Sequence, residues 1–155
     1  MVLKDFILQN GTFALQETAW DWEDAVKLGV DLLCKAGVAE PRYYDAIIRT
    51  TDELGPYYVI APGIAMPHAR PELGACNTGF SLVTLEKPVT FGHEDNDPVD
   101  VILCICARTA HDLNEQVIME AVTLFDNESG MQKLRAIKTE AELREILEET
   151  ERLIE

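Results

Sequence analysis

The segment that most constrains the fold is a near-continuous apolar run from residue 99 to residue 107. Asp100 is the one charged residue within it, and the turn-forming cluster at 95–98 precedes it. Such a run is typical of a central strand that is buried on both faces of a sheet. A strand of this kind needs apolar layers above and below it, so the chain is expected to place helices on both faces.

The remaining segments supply those layers. Strand character is predicted at residues 12–15, 57–60, 79–85 and 99–107, and helical spacing at 2–9, 22–36, 41–54, 114–125, 131–136 and from 139 onward. Gly37 stands where a helix ends, and Thr139 with Glu142 fits a capping box. The pattern predicts one α/β domain over 1–155, a three-layer arrangement with helices on both faces of a small mixed sheet.

The charge balance excludes some classes of partner. The chain has 13 Lys and Arg against 28 Asp and Glu, a net charge of −15, which argues against nucleic acid and favours a protein with a basic face. No apolar stretch reaches the roughly 20 residues that span a bilayer. The N-terminus lacks the long apolar region of a secretory signal, so we expect a cytoplasmic protein.

The four cysteines are expected to be reduced thiols, mostly buried. Cys34, Cys76, Cys104 and Cys106 include no C-x-x-C pair. Cys104 and Cys106 lie two apart on a strand and therefore face the same side. A dithiol or metal pair is conceivable there, but core thiols are the favoured interpretation.

His68 is the strongest candidate for chemistry. Pro67 restricts the backbone before it, Gly63 permits a close turn upstream, and Pro71 follows shortly after. These residues predict a stiff, uncrowded loop at the end of a strand, which suits an imidazole that another protein must reach. A nucleophilic histidine also needs an exposed nitrogen and a neighbour that orients the ring. The alternative is an ordinary loop histidine.

Other side chains invite weaker hypotheses. His93 lies among acidic residues, but without a two-histidine ligand pattern a solvated turn is favoured over a metal site. Neither a metal nor another cofactor is predicted. One tyrosine of each pair, 43–44 and 57–58, should pack inward, and the other could rim a partner surface. Trp20 and Trp22 are expected to pack at a helix edge.

Two longer motifs carry a family resemblance. Residues 44–47 (YDAI) and 55–68 (GPYYVIAPGIAMPH) resemble the enzyme IIA component of the bacterial sugar phosphotransferase system, mannitol/fructose class. Residues 78–83 (TGFSLV) and 96–100 (NDPVD) are similar to its ascorbate-specific branch. The resemblance implies a mixed sheet of about five strands between helices. It also implies that HPr phosphorylates His68 through Nε2 and that a cysteine of a IIB partner receives the group, without a cofactor.

The resemblance further implies a sugar or sugar acid as the transported molecule, with L-ascorbate favoured, recognised mainly by a membrane IIC component. A homodimer is compatible with it. The family's arginine late in the second helix corresponds to Thr50 or Thr51, next to Arg49. Its second histidine corresponds to Leu113 or Asn114, shortly after His111. Arg49 and His111 are therefore the auxiliary candidates.

Two other functions remain open from the sequence. The same phosphorylatable domain could signal its phosphorylation state to a transcription regulator instead of serving transport. A hydrolase built on His68 and a carboxylate is the third hypothesis, but the chain lacks a nucleophile motif such as G-x-S-x-G.

Overall fold

The computed structural model describes residues 1–112 and 115–155. In these ranges the helices are α1 (Val2–Asn10), α2 (Trp22–Lys35), α3 (Arg42–Leu54), α4 (Glu115–Asp126), α5 (Glu128–Ala136) and α6 (Glu140–Ile154). The strands are β1 (Phe13–Glu17), β2 (Val59–Ala61), β3 (Ile64–Ala65), β4 (Gly79–Val89) and β5 (Val99–Cys106). The predicted start of the fourth helix at Asn114 lies outside the described residues.

The sheet is mixed and has the order β1-β4-β5-β3-β2. β4 and β5 pair antiparallel, whereas β1 runs parallel to β4 and β3 runs parallel to β5. β2 and β3 form an antiparallel hairpin at one edge. The apolar run at residues 99–107 is thus the central strand, as its composition predicts.

Successive side chains of β4 and β5 point to opposite faces of the sheet, so they contribute to two separate cores, one on each face. One face packs against α2 and α3 through Val83, Ile102 and Cys104. The other face packs against α1, α4, α5 and α6 through Leu82, Leu103 and their neighbours. This confirms the three-layer α/β prediction.

Several helix ends follow the predicted rules. Gly37, at φ 79°, lies just past the end of α2, and the Thr139–Glu142 capping box opens α6. The buried carboxylate of Glu120 on α4 accepts hydrogen bonds from the backbone N–H groups of Val2 and Leu3 at 3.1 and 2.9 Å, and so provides acceptors for two N–H groups in the first turn of α1.

Among the described residues, no helix is both long and apolar enough to cross a membrane.

Some predicted boundaries are wrong. The strand predicted at 57–60 begins only at Val59, because Tyr57 still belongs to the turn after Gly55 and Pro56. The two-residue strand β3 was not predicted at all. β4 continues to Val89, past Pro88, through an irregularity in its pairing with β5. α5 begins at residue 128, three residues before its predicted start.

The tryptophans and cysteines give mixed results. Trp22 packs as expected, with its ring 6.1 Å from that of Phe91, but Trp20 is 93% exposed and does not pack at the helix edge. Cys104 and Cys106 are buried, and burial raises the pKa of each thiol to about 12. The prediction of burial is wrong for Cys76, which is exposed, and Cys34 is only partly buried.

Candidate functional site

The loop that carries His68 leaves the sheet directly after β3. Hydrogen bonds hold its start: Met66 N donates to Tyr58 O at 2.9 Å, and Ile105 N on β5 donates to Pro67 O at 3.1 Å. The His68 ring is half-buried. The prediction of a histidine on a loop at the end of a strand is therefore confirmed.

The backbone also decides which nitrogen of His68 is available. Nδ1 lies 2.8 Å from the carbonyl oxygen of Met66. A carbonyl oxygen can only accept, so Nδ1 carries the proton in this contact and Nε2 keeps its lone pair. The Tyr57 ring packs edge to face against the imidazole, with centroids 5.6 Å apart and planes at 86°. The ring is thus oriented from two sides, and Nε2 is the nitrogen that these contacts leave available.

His68 lies on the wall of a groove of about 690 Å³. One wall is the face of α3, another is the loop after His68, and the end of β5 closes the floor. The groove is lined by Tyr43, Ala46, Arg49, Thr50, Glu53, Leu54, Tyr57, His68, Ala69, Arg70, Pro71, Leu73, Ile105 and Ala107.

Two arginines give the groove its positive charge. Arg49 comes from α3 and makes no ion pair with any described residue, whereas Arg70 pairs with Glu72 at 3.4 Å on the exposed surface. A guanidinium binds the oxygens of a phosphoryl group in a bidentate manner. Glu53 is the one acidic side chain among the lining residues of this groove. The arrangement suits an anion held near His68 by cations that solvent can still reach.

On its other side, His68 borders a smaller, mostly apolar cavity of about 330 Å³. Tyr57, Tyr58, Ile60, Met66, Ile105, Val117 and Ile118 line it with His68. Four exposed large apolar side chains line the groove or this cavity: Leu54, Tyr57, Ile60 and Ile118. We call these four residues the apolar rim. Exposed apolar side chains grouped in this way are typical of protein contact sites.

The comparison with known families decides the classification. Residues 6–150 match the family described as "Phosphoenolpyruvate-dependent sugar phosphotransferase system, EIIA 2". The chain belongs to this family. It is therefore an EIIA protein, a phosphotransferase component that carries phosphoryl groups for sugar uptake.

Individual relatives refine the picture. The ascorbate-specific PTS system EIIA component of Escherichia coli (strain K12) is 50% identical over 150 residues, which are 97% of each chain. The mannitol-specific cryptic enzyme IIA CmtB of E. coli is 32% identical with a TM-score of 0.80, covering 95% of this chain and 98% of that one. The E. coli complex of enzyme IIA-mannitol with phosphorylated enzyme IIB-mannitol contains a chain that is 27% identical with a TM-score of 0.76, covering 88% and 94%.

The auxiliary candidates of this EIIA protein fall in different places. Arg49 lies in the same groove as His68, and so does Thr50. Thr51 is buried, and its hydroxyl lies 2.8 Å from that of Tyr58. His111 is exposed on the short 3₁₀ turn Ala110–Asp112 and is absent from the described lining of the groove. Leu113 and Asn114 lie outside the described residues. The auxiliary roles of Arg49 and His111 stay predictions.

Sequence reasoning missed two residues that the EIIA structure brings to this site. Arg70 follows His68 by two positions in an extended segment, a spacing that places both side chains on one side of the chain. That spacing was an available signal for the second arginine. The sequence predicts that one of Tyr43 and Tyr44 packs inward, and Tyr43 is the buried one. Burial raises the pKa of its phenol, but its polar contacts with the His68 loop had no local signal.

His93 has the structural role that its turn-rich surroundings predict. Its Nδ1 accepts the backbone N–H groups of Asp95 and Asn96 at 3.2 and 3.1 Å. The carboxylate of Asp97 accepts three more backbone N–H groups, those of residues 91 to 93. These contacts confirm the turn interpretation. Within the described ranges, His, Cys, Asp and Glu form no group of three that could hold a metal ion.

Proposed function

We propose that this protein takes a phosphoryl group from phospho-HPr onto Nε2 of His68 and passes it to the cysteine of a IIB component during uptake of L-ascorbate. The observation that carries the proposal is the contact between His68 Nδ1 and Met66 O. It leaves the lone pair of Nε2 available at the rim of a groove that Arg49 and Arg70 line.

The chemistry balances without a cofactor. In the first step the Nε2 lone pair attacks phosphorus, a new N–P bond forms, and the bond between phosphorus and the donor breaks. In the second step the thiolate sulfur of the IIB cysteine attacks the same phosphorus, and the Nε2–P bond breaks. The carrier's residues orient the nucleophile and stabilise the charge on the transferred group.

The surface around His68 supports protein partners on both sides of this exchange. The apolar rim offers contact area directly beside the reacting nitrogen. The net charge of −15 favours partners with basic faces and speeds their encounter by electrostatic steering. A complex with a IIB protein is known for the IIA-mannitol relative. HPr as the donor rests on the resemblance, and a homodimer stays a prediction.

L-ascorbate is favoured because the ascorbate-specific E. coli relative is 50% identical over nearly all of both chains, against 32% for the mannitol-specific CmtB. The relatives at 50% identity are named as components of an ascorbate-specific PTS system, so the regulatory alternative is not favoured.

The four cysteines are free thiols, which agrees with the reducing conditions of the cytoplasm.

His68→Ala tests the site. We expect the wild-type protein to take up label from ³²P-labelled phospho-HPr and the variant to take up none, because no other described group presents a comparable nucleophile in the groove. Labelling is followed on a gel at alkaline pH, with circular dichroism as the control for folding. Retained labelling of a folded His68→Ala protein would rule out His68 as the acceptor.

The acceptor and the sugar are tested with purified IIB proteins. Phosphorylated carrier is mixed with the IIB protein of an ascorbate system and, in parallel, with that of a mannitol system. We expect transfer to the cysteine of the first at a clearly higher rate. Equal rates would contradict ascorbate specificity, and no transfer to any IIB protein would contradict the transport role.

A further inference from the structure

The hydrogen bonds on both sides of His68 converge on a single residue of the central strand. Ile105 N donates to Pro67 O, the carbonyl just before His68, at 3.1 Å. Ile105 O accepts the hydroxyl of Tyr43 at 2.7 Å. The same hydroxyl accepts the N–H of Ala69, just after His68, at 2.9 Å. His68 is therefore held before and after by one strand residue, directly on one side and through a phenol on the other.

The Tyr43 side chain is buried, and the backbone that carries it is also hydrogen-bonded. Tyr43 lies at the start of α3 and has no exposed surface. Its backbone N–H donates to Glu40 O at 2.9 Å. Gly74 lies so close that a Cβ there would come within 2.9 Å of Tyr43 N. The hydroxyl thus occupies a defined point between β5 and the His68 loop.

The loop needs this contact for the orientation of the imidazole. The bond between Nδ1 and Met66 O joins the ring to the backbone two residues earlier, so it requires a fixed backbone between residues 66 and 69. Without the Tyr43 hydroxyl, the Ala69 N–H loses its partner within the protein, and the loop is held on one side alone. Groups that orient a reacting side chain through hydrogen bonds act on reactivity in this way.

We infer that Tyr43 is a positioning residue for phosphoryl transfer, because its hydroxyl bridges Ile105 O and Ala69 N and thereby holds the His68 ring with Nε2 directed for attack. This inference rests on the proposed function of His68. It assigns Tyr43 no contact with the phosphoryl group or with a partner, since the side chain is buried.

The chain offers a control away from the site. Thr150 on α6 is likewise buried, and its hydroxyl donates to the carbonyl oxygen of Ile146 at 2.9 Å. Thr150 lines neither the groove nor the cavity beside His68. Tyr43→Phe and Thr150→Val therefore each remove one buried hydroxyl that donates to a backbone carbonyl, but only the first removes the contact with Ala69.

The test measures transfer from phospho-HPr as a function of donor concentration. We expect Tyr43→Phe to lower kcat about tenfold with KM for phospho-HPr unchanged, because misplacement of a reacting group by a fraction of an ångström costs rate and not docking. Thr150→Val should transfer at the wild-type kcat. A wild-type kcat for Tyr43→Phe, or equal losses in both variants, would overturn the inference.

Two further measurements need no phosphoryl donor. The ¹⁵N shifts of the His68 ring should report less of the Nδ1–H form in Tyr43→Phe and no change in Thr150→Val. In the wild-type protein the Ala69 amide should be protected from hydrogen exchange. If the Ala69 amide of the wild-type protein exchanges at the rate of a free peptide, the inference is overturned. This outcome does not depend on whether the variants fold. An unlabelled wild-type protein would instead overturn the proposed function.

Discussion

Two loop histidines of this protein use the same ring nitrogen in opposite ways. At His68, Nδ1 lies against a carbonyl oxygen, which requires a proton on Nδ1. At His93, Nδ1 faces two backbone N–H groups, which requires a lone pair on Nδ1 and places the proton on Nε2. The first ring therefore keeps the lone pair of Nε2 available, and the second uses the lone pair of Nδ1 to close a turn.

The contrast teaches that the backbone around a histidine selects its chemistry. Both rings are half-buried, and both lie in loops. The carbonyl of Met66 points at His68 because the segment after β3 is extended. The N–H groups of Asp95 and Asn96 point at His93 because a tight turn directs successive amides inward. Composition alone does not separate the two cases.

The largest expected difference comes from alanine at each position. Whereas His68→Ala abolishes labelling, His93→Ala should be labelled by phospho-HPr like the wild-type protein. It should lose about 1 kcal/mol of unfolding free energy, because two backbone N–H groups lose their acceptor and water replaces it only in part. Urea denaturation measures the loss.

His93→Asn is the matched variant, since its side-chain oxygen can accept the same N–H groups and should restore part of the stability. A His93→Ala protein that is fully stable but cannot be labelled would reverse the comparison and make His93 the functional histidine.

A smaller effect is expected from the charge of the groove beside His68. Arg49→Gln should slow phosphoryl transfer to His68 about tenfold, because it removes from the groove a cation that we expect to stabilise the transferred group. Arg42→Gln is the control on the same helix, where the guanidinium pairs with Glu40 at 2.6 Å. Transfer assays that are stopped at fixed times, at several salt concentrations, measure the transfer rates of both variants. A tenfold loss in the Arg42 variant, or none in the Arg49 variant, would show that the groove charge is irrelevant.

The smallest effect is expected for the third histidine. His111 is exposed on a short 3₁₀ turn, so any charge it brings to the phosphoryl group is screened by solvent. We expect His111→Ala to lower the transfer rate by no more than about threefold, which is the scale of an exposed charge interaction. The same labelling assay checks it. A loss of a hundredfold would place His111 beside His68 in the reacting complex.

The predictable part of the fold follows from periodicity. The central strand, the helices on both faces and the capping box at Thr139 have strong local signals, and all are confirmed. β3 was missed because two residues are too few for an alternating pattern, and its pairing with β5 is a long-range contact. Trp20 was misjudged because its large apolar side chain suggests burial, but in the structure it lies exposed before the first turn of α2.

The site shows the same division. The Pro67 and Gly63 framework and the family motif were enough to select His68. The resemblance pointed to Arg49, which is adjacent to the position of the family's arginine, and the structure places it in the groove. The role of Tyr43 in holding Ala69 could not be predicted, because that contact joins residues 26 positions apart. Contacts of this kind depend on how α3 packs against the loop.

The single free nitrogen of His68 has a consequence for how the protein behaves among its partners. On the proposed function, donor and acceptor must both reach Nε2, and the apolar rim and the groove surround that one atom. The two partners therefore cannot be bound there together. The fraction of carrier that holds phosphate then depends on the relative abundance of charged donor and empty acceptor. The fraction of Nε2 that carries phosphate would therefore report the supply of phosphorylated donor relative to the demand of the acceptor for phosphate.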